Sequence, residues 1–215
     1  TKGRIHALER AAEVAWRFSG GRRRFRRRLE GFQETFADQG IRVTFCVTAT
    51  LLERHRDLVD RLLEQGHEIA AHGHVHTRMD QYSREEQDRQ IQASFTAFSR
   101  AGLEVEGFRC PYLNFNEDTN QGLRNSKYGW TSGEMVWWED GQPVRHGVTK
   151  LDGLYHFIRE EGKTVLPRLD ERLVHIPITA PDDELLYERQ RVRETKELSE
   201  IWWKVFRHHH EEGGL

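Results

Sequence analysis

The chain has 215 residues, with 33 Lys and Arg against 35 Asp and Glu for a formal net charge of −2. Nowhere does it carry the run of about 20 apolar residues that a spanning helix needs, and its balanced charge gives no general attraction for nucleic acid. Its 6 Trp, 5 Tyr and 11 Phe argue against disorder, and the length suits one domain over 1–215.

From Ile5 to Phe18, residues Leu8, Ala11, Ala12, Ala15 and Trp16 fall at helical spacing, so an amphipathic helix ending at Gly20-Gly21 is predicted. Arg22 to Asp38 repeats the pattern with Phe25, Leu29, Phe32 and Phe36, and Gly40 closes it. Arg22, Arg23, Arg24, Arg26, Arg27 and Arg28 read as a solvated helix end, with a phosphate-binding patch as the alternative. Ile41 to Ala49 reads as a strand apolar on both faces, and Leu51 to Gln65 as a helix stopped by Gly66. Glu68 to His72 is a short strand. Ser83 to Ala101 is a helix with a Ser83–Glu86 capping box, stopped by Gly102.

Phe108-Arg109 begins another strand that Pro111 ends, and Gly122 to Lys127 is a short helix or turn. Met135 to Gly141 is a small extension, Leu151 to Glu161 is helical, Leu173 to Ile178 is a strand and Asp182 to His210 is a long polar helix. Strands alternating with helices imply an α/β fold with a parallel sheet. Cys46 and Cys110 are too few for a disulfide framework, Cys46 reads as core, and a reduced cytoplasm fits.

The segment richest in chemistry is Gly66-His67-Glu68-Ile69-Ala70-Ala71-His72-Gly73-His74-Val75-His76. Three histidines leave the end of an apolar strand, where barrel and doubly wound folds place their chemistry. Imidazole suits zinc and related divalent metals. A helical turn would bring His72 and His76 to one side; extended chain would instead pair His72 with His74, or His74 with His76. Spacing does not choose among these. The bland alternative is a polar loop without a ligand. His67 reads as structural, and His208-His209-His210 as a solvated helix end. In Gly107-Phe108-Arg109-Cys110-Pro111-Tyr112, Arg109 sits at a strand end, where it suits a carboxylate partner or an ordinary surface turn.

The order of these segments resembles the polysaccharide deacetylases of carbohydrate esterase family four. Ile41-Arg42-Val43-Thr44-Phe45-Cys46-Val47 looks like the family's second strand, His72-x-x-x-His76 like its metal motif and Arg109-Cys110-Pro111-Tyr112 like its R-x-P-Y motif. The resemblance implies a distorted (β/α) barrel and a metal-dependent hydrolase, zinc as the expected cofactor, that removes acetyl groups from a saccharide. By the same resemblance His72 and His76 are metal ligands, Arg109 holds the catalytic base, and Tyr112 offers its backbone N–H to an oxyanion. His74 lines the substrate cleft and Trp130 its aromatic wall, with core packing as the other reading of Trp130.

Two family motifs find no counterpart here. No Asp-Asp pair precedes Ile41, and the strand that would deliver a general-acid His is not reached by Leu215. The barrel is therefore expected to be incomplete at both ends and the chain to be a poor enzyme. Asp182 and Asp183 follow a strand and could approach a metal, but Asp182 fits better as a helix cap, and His175 reads as a core histidine. Two rival readings remain at this level. One is an amidohydrolase-type metal site using His72 and His74 with His146, His156 or His175. The other is a saccharide-binding scaffold without turnover, using Trp130, Trp137 or Trp138.

Overall fold

The computed structural model describes residues 21–137, 157–158 and 166–211. The predicted helix over Ile5 to Phe18 lies outside them, as do Trp138, His146 and His156. The chain forms two compact units. One runs to Val43 and adds Asp60–Glu68; the other takes Thr44–Val59 and resumes at Ile69.

The smaller unit is built on α1 (Gly21–Asp38). Leu29 and Phe36 are half-buried and Gln33 is buried, while Arg23, Arg27 and Arg28 are exposed, as a solvated basic face requires. The helix ends with paired bonds from Gly40 N–H to Ala37 O and from Ile41 N–H to Phe36 O, which satisfy carbonyls the last turn leaves open. His67 is buried, accepts from Val43 N–H at Nδ1 (3.4 Å) and meets the Phe36 ring edge-on, a structural role.

The larger unit carries the sheets. Its strands are β1 (Thr44–Val47), β2 (Glu68–Ala71), β3 (Gly107–Phe108), β4 (Trp130–Thr131), β7 (Arg168–Asp170) and β8 (Leu173–His175), in the order β1-β2-β3-β4-β8-β7. β2, β3, β4 and β8 run parallel; β7 is antiparallel to β8. A second parallel sheet joins β5 (Met135–Trp137), β6 (Phe157–Ile158) and β9 (Ile178–Ala180) in the order β6-β5-β9. The expected α/β architecture with a parallel sheet is the one observed, and the sheet stays open among the described residues.

Helix α4 (Arg84–Arg100) follows its N-cap Ser83, whose side chain accepts from Glu86 N–H. It buries Gln87, Ile91, Ser94 and Phe98, a single 3.6-period stripe. Each buried polar group on that stripe finds a partner: Thr119 Oγ1 donates to Gln87 and Tyr128 Oη to Ser94 Oγ (3.3 Å). Burial pushes the Tyr128 phenol up to about 12.

Several elements differ from their predicted bounds. The helix expected over Leu51 to Gln65 breaks at His55 (φ −140°, ψ 44°) into α2 (Ala49–Arg54) and α3 (Arg56–Glu64). Helix α5 (Glu117–Asn125) starts earlier than expected because Asn116 and Thr119 close a reciprocal cap. Within the predicted helix Leu151 to Glu161, Phe157–Ile158 is instead a strand. The expected strand Leu173 to Ile178 splits at Ile176-Pro177, since proline lacks the N–H a continuing ladder needs. The predicted helix from Asp182 becomes a π-helix (Glu184–Arg189) and, after a break, α6 (Thr195–Glu211). Asp182 Oδ1 accepts from Leu185 N–H at 2.8 Å, so it caps a helix as read from sequence.

Two neighbouring strands leave the first sheet and enter the second together. Thr131 pairs with His175 in the first sheet, and Met135 pairs with Ile178 in the second. The chain takes four steps between these rungs on the β4 side and three on the β8 side, so the Ser132-Gly133-Glu134 segment holds one extra residue, a bulge. Glu134 is buried there. Its carboxylate pairs with Arg168, through Nε at 3.2 Å and again through the terminal nitrogen, and with His175 Nδ1 at 3.3 Å. His175, 1% exposed, has its Nε2 3.5 Å from Asp170 Oδ2. Asp170 in turn pairs with Arg124 (2.9 Å).

Burial disfavours the Glu134 charge, but His175 and Arg168 outweigh it and hold the carboxyl down to about 2 against an ordinary 4.5. A carboxyl lowered on folding stabilises the fold above its unfolded value and loses that contribution as pH falls through its folded one. Unfolding free energy followed from pH 5 to pH 2 should therefore drop by about 3 kcal/mol more in the wild type than in Glu134→Gln. A second expectation concerns Gly107, where an added Cβ would stand 1.9 Å from the Trp130 ring. Gly107→Ala should cost about 1–3 kcal/mol in a denaturant titration, the range of an overpacked core.

Candidate active site

The parallel register sets one row across the sheet: Ala71 beside Phe108, Phe108 beside Thr131, Thr131 beside His175. The next residue on each of the first three strands is His72, Arg109 or Ser132. The sequence-predicted His72 and Arg109 thus emerge, with Ser132 beside them, at the carboxyl ends of adjacent strands, where parallel α/β sheets bind ligands.

His72 is gripped from both sides. Its N–H donates to Val47 O on β1 (2.9 Å), and its Nδ1 lies 2.8 Å from Arg109 O beyond β3. A carbonyl only accepts, so Nδ1 carries the hydrogen and Nε2 keeps its lone pair. Burial, with His76 and Arg109 adding to it against the Arg109 carbonyl bond, lowers the His72 pKa to about 4. The imidazole is neutral at pH 7, the state in which histidine ligates metals.

The chain then turns at Gly73 (φ +77°), where a Cβ would meet Val75 O at 3.1 Å and Pro111 Cγ at 3.2 Å. Only glycine takes that left-handed, crowded position without strain. Ala49 N–H and Thr50 N–H, opening α2, donate to Gly73 O and His74 O at 3.1 Å each and clamp the turn. The turn, not a helical one, brings the His76 ring to 4.9 Å from His72. Of the pairs that spacing left open, His72 and His76 are the two whose rings the structure records in contact. His74 is half-buried with Nδ1 buried and unpartnered among the described residues.

Arg109 N–H donates to Ala71 O (2.8 Å), and its terminal nitrogen donates to Ser132 Oγ (3.0 Å). Its Nε is buried with no hydrogen-bond partner among the described residues. Pro111–Leu113 form a tight turn in which Tyr112 (φ 59°) and Leu113 (φ 53°) are both left-handed, a strained pair for residues with side chains. The turn lays the half-exposed Tyr112 ring edge-on to His76 at 4.4 Å. His72, His76, Arg109 and Tyr112 therefore form one cluster. Trp130 is elsewhere: it is half-buried one position earlier than the end row, and its ring lies against Gly107 of the neighbouring strand.

His72 has the tautomer and neutral charge in which histidine ligates a divalent metal, and the Arg109 carbonyl is the outer-shell acceptor such ligands use. No group of three or more His, Cys, Asp or Glu able to hold a metal occurs among the described residues. Sequence reading missed Ser132, Glu134 and Arg168. A lone acid in Thr131-Ser132-Gly133-Glu134-Met135-Val136-Trp137 was a usable sign of a buried ion pair; Arg168, 34 positions on, carried none.

The sequence pattern of the family described as Polysaccharide deacetylase matches residues 18–130, more than half of the chain. No curated protein matches it. Among solved structures, one from Mycobacterium smegmatis assigned as a polysaccharide deacetylase is 17% identical at TM-score 0.62, over 86% of this chain and 60% of that one. Puue allantoinase is 13% identical at TM-score 0.66, over 94% and 59%. A CE4 family pseudoenzyme from Bacillus anthracis is 17% identical at TM-score 0.45, over 48% and 37%. The first two likenesses establish a shared fold, and this chain spans less than two thirds of each of the three.

A histidine depressed on folding favours the fold above its unfolded value of 6.5 and loses that advantage as pH falls through about 4. Unfolding free energy of the metal-free chain should thus fall by roughly 3 kcal/mol between pH 7 and pH 4 on account of His72. His72→Ala should remove that slope in pH-resolved denaturant titrations.

Proposed function

The chain belongs to the polysaccharide deacetylase family, and we propose that it takes part in metal-dependent removal of acetyl groups from a saccharide, N-deacetylation above all. One observation carries the reading: the His72 and His76 imidazoles stand 4.9 Å apart with His72 Nδ1 tied to the Arg109 carbonyl. That tie leaves Nε2 as the ligating atom. His72 and His76 would hold the ion, zinc by the preference of nitrogen ligands. When bound, a divalent metal supplies Lewis acidity and a water nucleophile at neutral pH.

The chain's own residues divide the remaining work. The buried Arg109 Nε lacks a partner among the described residues and suits a carboxylate acceptor; held there, a carboxylate is oriented to take the proton of the attacking water. The left-handed turn at Tyr112 supports its backbone N–H as donor to the oxyanion that forms on the acetyl carbon. The C–N bond then breaks, acetate departs and the sugar amine takes up a proton. His74, with an unpartnered buried Nδ1, suits a hydroxyl or acetamido group of the saccharide. The Trp130 ring is engaged with Gly107, so the proposal assigns it no substrate contact. Among the described residues no helix is long and apolar enough to cross a membrane.

Calorimetric titration of zinc into the chain tests this reading, alongside His72→Ala and His76→Ala and an acetate-release assay on N-acetylglucosamine oligomers. Zinc binding at one equivalent that weakens at least about tenfold in either variant is the expected outcome, given the usual weight of a ligand. Zinc binding that neither substitution changes would overturn the ligand assignment. Zinc binding without acetate release from any acetylated saccharide would leave the family scaffold without the proposed turnover.

A further inference from the structure

We propose that Ser132 is a positioning residue for Arg109, held in place by the bulge that Glu134 anchors. The inference rests on the role proposed above for Arg109.

An arginine side chain carries about 2 kcal/mol of rotamer entropy, so a single flexible acceptor would hold it poorly. The Arg109 backbone is fixed at both ends, by Ala71 O on its N–H and by His72 Nδ1 on its carbonyl. Its guanidinium has one hydrogen bond among the described residues, to Ser132 Oγ at 3.0 Å. The direction of the guanidinium therefore depends on how firmly Ser132 is placed.

Every residue of the bulge is pinned. Ser132 is 2% exposed, and its N–H donates to Phe108 O at 3.1 Å. A Cβ on Gly133 would stand 3.0 Å from the Phe115 ring, so that residue has no lateral room. Glu134 O accepts from Ile178 N–H at 2.8 Å, and its carboxylate is paired with Arg168 and His175. Ser132 itself keeps the parallel ladder, so ordinary alternation sets it beside Arg109, and the bulge that follows fixes the chain just beyond it. Ser132 is no nucleophile here, because its oxygen faces a guanidinium, which only donates and cannot take its proton.

Proton–nitrogen NMR of the chain reads the arrangement directly, with the Arg109 side-chain signals identified by their loss in Arg109→Lys. Held against Ser132, the Arg109 terminal N–H groups should rotate slowly and give resolved signals at pH 6. In Ser132→Ala those signals should broaden beyond detection while the backbone amide spectrum and zinc affinity stay as in the wild type. Glu134→Gln, which keeps the side-chain shape, should broaden them in part. If the wild-type chain releases acetate, Ser132→Ala should lower kcat about ten- to a hundredfold with little change in KM, the signature of lost alignment. Arg109 signals unchanged in Ser132→Ala, or absent from the wild type, would overturn the proposal. Absence of acetate release from the wild type would count against the deacetylase reading alone, since the NMR result does not depend on turnover.

Discussion

Parallel register is the constraint on which the candidate site depends. Ala71, Phe108, Thr131 and His175 occupy one row, so three strands end at the same level and deliver His72, Arg109 and Ser132 side by side. A slip of one residue would turn each side chain to the opposite face of the sheet. The strands are short, which leaves little ladder to resist such a slip. Resistance comes from what is wedged around them: buried Ala70, Ala71 and Phe108, the Trp130 ring on Gly107, and α4 with its single apolar stripe. Small residues in β2 and β3 are thus part of the site's geometry, although none carries chemistry.

Arg109 serves this arrangement twice. Its carbonyl sets the tautomer of His72, and its guanidinium reaches Ser132 on the next strand. Because one residue supplies both contacts, the spacing between the His72 ring and the guanidinium is constrained by covalent geometry within a single amino acid. The left-handed turns on either side have a related effect. Gly73 folds the histidine segment back, and Tyr112 folds the next loop over it, so that the His72, His76 and Tyr112 rings form a contiguous row of tilted and edge-on contacts at 4.9 and 4.4 Å. Strain at Tyr112 costs on the order of 1–3 kcal/mol. That cost is acceptable only where the surrounding packing over-determines the turn, as buried Pro111 and Cys110 do here.

What could be read from the sequence follows from the range of each interaction. Helices α1 and α4 were legible because apolar periodicity and glycine stops act over a few residues. The histidine cluster and Arg109 were legible as residue types at strand ends. The break at His55 was hidden, since the apolar pattern runs through it. Pro177 did advertise the split between β8 and β9, for a proline seldom sits inside a ladder. That the His76 ring meets His72 was beyond spacing arguments, because it depends on a turn clamped by α2 from another part of the chain. Ser132 and Arg168 were invisible for the same reason: their meaning lies in partners 23 and 34 positions away.

The buried Glu134 cluster is best understood through what it specifies. Burying the Glu134 carboxylate costs several kcal/mol, and its partners Arg168, which stays partly in water, and His175 return much of it. An apolar substitute could give a fold at least as stable. An apolar substitute would not, however, distinguish one register from the next across a bulge, because hydrophobic contact has no direction. The pair of strands that crosses from one sheet to the other has four steps on one side and three on the other. A directional contact is needed to say where the extra residue goes. Arg168 and His175 both meet Glu134, two residues beyond the Ser132 that reaches Arg109. The polar cluster and the Ser132–Arg109 contact thus share one short segment whose register the ion pair helps to specify.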